Sequence, residues 1–92
     1  MLTEFIKIDK LAGRFLLQKV YINAKHIVFM VEDSSYKQDL MEGRIELGLN
    51  KEAEFTKIRM IDNSSFSELT VVGSPESIQS KLFSSRKTLL RG

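Results

Sequence analysis

Five consecutive apolar residues, Ile27-Val28-Phe29-Met30-Val31, constrain this chain more than any other stretch. A strand with one wet face alternates apolar and polar side chains. An unbroken run within His26 to Glu32 therefore predicts a strand at the middle of a sheet, covered on both faces. A single helix can cover only one face of a small sheet. The other face then needs the sheet to curl on itself, a long loop to lie across it, or a second copy of the protein.

The rest of the chain supplies the strands for such a sheet. Leu2 to Asp9 alternates, with Leu2, Ile6 and Ile8 on one side and Phe5, Lys7 and Asp9 on the other. Leu11-Ala12-Gly13 is a turn, with Gly13 free to adopt a positive φ. A second strand is predicted from about Arg14 to Ile22, followed by a short turn at Asn23-Ala24-Lys25 in which the Asn23 side chain can bond the backbone two residues on. Asp33 to Gly43 is polar and reads as a loop, with Tyr36, Leu40 and Met41 as its anchors. Period-two patterns return at Arg44 to Asn50, Phe55 to Asp62 and Phe66 to Val72, with a turn at Asn63-Ser64-Ser65.

The strand pattern stops within a few residues at Val71-Val72-Gly73-Ser74-Pro75-Glu76-Ser77-Ile78. Ser74 stands where an N-cap is wanted, Pro75 at the first helical position and Glu76 in the first turn, against the positive end of the helix dipole. The predicted fold is a single α+β domain over residues 1–92. It has a curved, mainly antiparallel sheet of five or six strands over about 2–72, drawn toward a partial barrel. One C-terminal helix over about 74–84 and a basic tail over about 85–92 complete it.

Composition narrows the chemistry. There is no cysteine, so disulfides, thiol nucleophiles and Cys-built zinc sites are excluded, and the core must be made of Ile, Leu, Val, Phe and Met. That usage suits a reducing cytoplasm. No apolar run follows a basic N-terminal stretch, so no signal peptide is expected, and the longest apolar run is far too short to cross a bilayer. The lone His26 has no serine or carboxylate at a spacing that marks a triad, and it reads as a structural or surface residue. Glu32-Asp33 reads as a solvated strand end rather than a metal pair. With no phosphate-loop pattern, neither a cofactor nor a small-molecule substrate is indicated. Phe5, Phe29, Phe55 and Phe66 lie in strands and read as core rather than as stacking platforms.

Several stretches resemble FlbD-type flagellar proteins, a small bacterial family in which short strands lead into a terminal helix. They are Phe5-Ile6-Lys7-Ile8 with Leu11-Ala12-Gly13, Tyr21-Ile22-Asn23 followed by His26-Ile27, Thr56-Lys57-Ile58, and Val71 to Ile78. The segment from about Asp33 to Glu54 and the basic tail depart from that family's compact form. The resemblance implies a non-catalytic bacterial or phage-like accessory protein and carries no site residues. The order of strands before a helix and basic residues also resembles the LytTR type of DNA-binding domain, without its histidine: Ser84-Ser85-Arg86-Lys87-Thr88 stands at that place.

The charge is split along the chain. Residues 1–76 hold ten Lys and Arg against twelve Asp and Glu, whereas residues 77–92 hold four cations and no acid. Two functions follow as expectations. The first is a non-enzymatic module that self-associates or joins a protein complex, through sheet surface that its one helix leaves uncovered. The second is a small nucleic-acid-binding regulator in which Lys81, Arg86, Lys87 and Arg91 meet phosphates.

Overall fold

The computed structural model describes residues 2–45 and 48–91, with side chains described through Phe83. Five strands form one antiparallel sheet: β1 (Leu2–Leu11), β2 (Arg14–Asn23), β3 (Ile27–Glu32), β4 (Phe55–Asp62) and β5 (Ser65–Val72), in the spatial order β2-β1-β5-β4-β3. A short helix, α1 (Lys37–Met41), lies between β3 and β4, and the C-terminal helix α2 (Pro75–Arg91) follows β5. The sheet is open rather than closed into a barrel.

Local chemistry explains most of these boundaries. Ala12 and Gly13 both take positive φ, 52° and 76°, which is the turn whose twist matches a two-residue hairpin between β1 and β2. Asn63 and Ser64 do the same, at 47° and 74°, between β4 and β5. Asn23 accepts a hydrogen bond from the Lys25 amide at 3.0 Å and starts a single 3-10 turn, Ala24–His26. Ser74 caps α2 as expected, with its Oγ accepting from the Ser77 amide at 3.1 Å.

The cap also explains Gly73. Its φ is +128°, and a Cβ there would stand 3.0 Å from both Ile78 Cδ1 and Ser77 Oγ. Gly73→Ala is expected to lower stability by about 1–3 kcal/mol through backbone strain and crowding at the helix entry. Thermal melts of the two proteins check this, and an unchanged midpoint would contradict the strained entry.

The connection between β2 and β3 sets the shape of the whole sheet. These strands are its two edges, yet only Ala24, Lys25 and His26 join them. Four Cα steps reach at most about 14 Å, while the edges of a flat five-stranded sheet stand about 19 Å apart. The sheet must therefore bend until its edges approach. Consistent with this, β1 pairs with β5 only at Lys7↔Val71 and Ile8↔Thr70, while it pairs with β2 along its whole length.

Two clusters form, one on each face. On the α2 side, Phe5 and Ile22 from the β1–β2 hairpin meet Ile58, Val71 and the helix residue Ile78, with Ile27, Met30, Met60 and Leu82 around them. On the opposite side, Ile8 and Phe55 meet Leu40 and Ile45, flanked by Phe15, Leu17, Tyr36 and Leu49. The segment between β3 and β4 thus covers part of the second face. Tyr36 and Leu40 are the anchors that the sequence suggests, but Met41 is exposed.

Four expectations are corrected. The strand Ile27–Val31 lies at the edge of the sheet rather than at its centre, and Val28, Phe29 and Val31 are exposed. The reason is a register shift between Ile27 and Phe29. The extra residue, Val28, resets the alternation so that Ile27 and Met30 both reach the α2-side cluster, and a strand half open to water still reads as an unbroken apolar run. Second, the described residues of 44–50 form no strand. Ile45 and Leu49 pack onto the sheet instead, and the Asn50 side chain bonds the Glu52 amide at 2.9 Å, closing a turn. The sheet has five strands, within the five or six expected. Third, the polar stretch after Asp33 includes the helical turn α1, because buried Leu40 needs a fixed approach to the sheet. Fourth, α2 continues past Ser84-Ser85 to Arg91. Serine lowers helix propensity only slightly, and Arg86, Lys87, Leu89, Leu90 and Arg91 are strong helix formers.

Candidate functional site

Of the residues singled out for phosphate contact, Lys81 is the one whose side chain is among those described. Lys81 sits on α2, donates from Nζ to the Glu4 carbonyl and stands 5.0 Å from the centre of the Phe5 ring. It serves to fasten the helix across β1. The side chains of Arg86, Lys87 and Arg91 lie outside the described residues, and their backbone belongs to α2.

His26 lies in the 3-10 turn rather than in β3, beside a cavity of about 390 Å³ that is also lined by Tyr21, Asn23, Asp62 and Ser67. Its Nδ1 is 3.0 Å from the Ile61 carbonyl oxygen. A carbonyl only accepts, so Nδ1 carries the proton and donates. Among the described residues this is the ring's hydrogen bond, and none joins it to Asp62 or Ser67. Its described role is to pin the turn against β4. No group of three or more metal-ligating side chains occurs among the described residues.

The second carboxylate of Glu32-Asp33 is not a solvated strand end. Asp33 is buried, and its Oδ1 accepts from the Ser35 amide at 3.0 Å and from the Ser35 hydroxyl, while its Oδ2 accepts from Thr70 Oγ1 at 2.7 Å. Burial pushes its carboxyl upward, but the Ser35 and Thr70 hydrogen bonds and the charge of Lys57 outweigh that and hold it below the usual carboxylate range. Asp33 thus ties the segment after β3 to β5. Aspartate followed by two serines is the signal for a side-chain-capped turn, although nothing in that pattern points to Thr70.

Exposed apolar side chains also line the face of β3, β4 and β5 opposite α2, among them Phe29, Val31, Ile61 and Phe66. The pairing sets Phe29 beside Arg59, Arg59 beside Glu68, and Ile61 beside Phe66. All of them project on one face, beyond the reach of the covering segment. The Arg59 guanidinium carbon is 5.7 Å from the Phe29 ring centre and 5.1 Å from that of Phe66, a cation held between two open aromatic faces. Glu68 approaches its Nε at 3.6 Å, too far for a hydrogen bond, and that buried Nε has no acceptor among the described residues. Of the four phenylalanines read as core, Phe5 and Phe55 are core as expected, whereas Phe29 and Phe66 are exposed.

The outer edge of β3 borders this face, and it differs from the other edge of the sheet. β2 carries Arg14, Gln18 and Lys19, the polar and charged residues that discourage edge pairing. From Ile27 to Val31, β3 has no charge and no proline. Its protection is limited to the register shift, its short length and Glu32 at its end.

The fold and this surface define a small antiparallel α+β domain with one protected and one open sheet edge. No protein-family model, curated protein or solved structure matches the chain. No helix among the described residues is long and apolar enough to cross a membrane.

Proposed function

We propose that this chain is a non-enzymatic interaction module that self-associates, with the β3 edge and the adjoining Phe29–Arg59–Phe66 face as its joint. The observation that carries this reading is the uncharged, unpaired edge strand Ile27–Val31 with Val28, Phe29 and Val31 open to water. Unpaired main-chain groups beside apolar side chains are a template for another strand. Aromatic residues with an arginine between them also have the composition of interface centres, where Tyr, Trp, Phe and Arg are enriched.

Sedimentation velocity over a concentration series in physiological salt tests the reading. The expected result is a mass that rises with concentration in the native protein and stays monomeric in Val31→Lys, which places a charge on the edge without touching either core cluster. A native protein that is monomeric at every attainable concentration overturns it.

A further inference from the structure

We propose that the groove beside the turn from β2 into β3 is a binding site for a primary ammonium group on an alkyl stem, held by Asp62, His26 and Ser67 beside the ring of Tyr21. β3 lends this groove no lining residue, so the site stands apart from the self-associating joint.

The fold builds the groove from distant parts of the chain. The three-residue join between β2 and β3 brings Tyr21 and His26 against Ile61 and Asp62 at the end of β4, while Leu2 comes from β1 and Ser67 from β5. At about 390 Å³ the space is in the size range of sites that take small molecules. Its walls are mixed. Leu2 and Ile61 are exposed apolar side chains, and the exposed Tyr21 is anchored by its hydroxyl, which donates to Glu4 Oε1 at 3.2 Å.

The polar groups select the ligand. His26 spends its Nδ1 proton on the Ile61 carbonyl at 3.0 Å, so Nε2 of the neutral ring keeps its lone pair and accepts. Asp62 adds a carboxylate that no side chain pairs with among the described residues, and Ser67 adds a hydroxyl. No lysine or arginine lines the groove: Lys25, in the same turn, is exposed, and Lys81 donates to the Glu4 carbonyl. The Glu4 carboxylate on Tyr21 adds to the charge of Asp62, so the groove is negative and repels an anion. A metal ion finds no third strong ligand, since no group of three or more metal-ligating side chains occurs among the described residues. A primary ammonium carries three N–H donors, one each for the carboxylate, Nε2 and the Ser67 hydroxyl. Its charge also suits the face of an aromatic ring. The alkyl stem then covers Leu2 and Ile61.

Amide NMR spectra of the full chain test the site with hexylammonium, hexanol, hexanoate and zinc chloride as probes. Because the groove is open to water, hexylammonium is expected to move the amides of His26, Asp62 and Ser67 saturably with a Kd of about 1 mM. Hexanol should bind about ten-fold more weakly or worse, and hexanoate should leave these amides unmoved. Asp62→Asn keeps the shape of the carboxylate without its charge. It should weaken hexylammonium by about ten-fold or more while leaving the thermal midpoint unchanged. Nα-acetyl-lysine methylamide carries the same head group: tighter binding than hexylammonium marks a lysine side chain of a partner protein as the source, weaker binding marks a free amine, and both support the site. The absence of a saturable shift with hexylammonium, equal binding of hexanol, native affinity in Asp62→Asn, or zinc moving the same amides at lower concentration each overturns the ammonium site. None of these results bears on the β3 joint, which the sedimentation series tests by itself.

Discussion

Phe55→Ala is expected to lower unfolding free energy by about 3–5 kcal/mol, the range for truncating a fully buried aromatic in a core. Phe55 begins β4 and is almost completely buried among Ile8, Leu40 and Ile45. Its ring centre is 5.6 Å from that of Tyr36, and its carbonyl accepts the Asp33 amide at 2.8 Å. The residue is where the segment that leaves the sheet after β3 returns to it. Removing the ring opens a void between the segment and the strands, which the Asp33–Thr70 and Gly73–Glu54 hydrogen bonds at the segment's two ends keep from closing fully. A domain of this length has about 5–14 kcal/mol of stability in all, so the change removes roughly a fifth of it or more. Urea unfolding followed by circular dichroism measures the effect, with Phe66→Ala as the comparison. Phe66 is exposed, and its truncation should cost under about 1 kcal/mol. Equal costs for the two variants would mean that the second cluster is not a packed core.

Asp33→Asn is expected to cost about 1.5–3 kcal/mol at neutral pH, because two short hydrogen bonds lose a charged acceptor and the amide must point its own donors at hydroxyl partners. The same change should alter the dependence of stability on pH. The Asp33 carboxyl lies below its ordinary value of 3.8 in the folded protein. A depressed folded value means that the unfolded chain binds the proton first. The contribution of Asp33 is therefore fully present above the unfolded value and is lost as pH falls through the folded one. Urea midpoints of the native protein should fall from about pH 4 downward. In Asp33→Asn that part of the slope should be absent, whereas Ser35→Ala should keep a smaller version of it. An identical slope in the native protein and Asp33→Asn would show that the buried carboxylate is not what titrates.

Much of the secondary structure was legible in the residues. β1 follows the Leu2–Ile6–Ile8 and Phe5–Lys7–Asp9 alternation, and the structure puts Ile8 and Phe5 in different clusters, as that alternation requires. The Asn23 turn and the Ser74 cap were readable because each is made by a side chain bonding backbone within three residues. The candidate surface was not readable as a surface. Arg59 and Phe29 occupy alternating positions in their own strands, but only the β3–β4 register brings them together, and Phe66 arrives from a third strand. Asp33 was missed for the same reason, since its partner Thr70 is 37 positions away.

The amino-acid order by itself determined where the five strands form and where the terminal helix begins, because period-two patterns, turn residues and caps act over a few residues. Only the tertiary structure decided which strand is an edge. One added residue at Val28, the short join between β2 and β3, and the return of Phe55 place Ile27–Val31 at the rim with one side open. Register and strand order depend on pairings between distant segments, and an apolar run has the same composition whether its neighbours cover it or leave it bare.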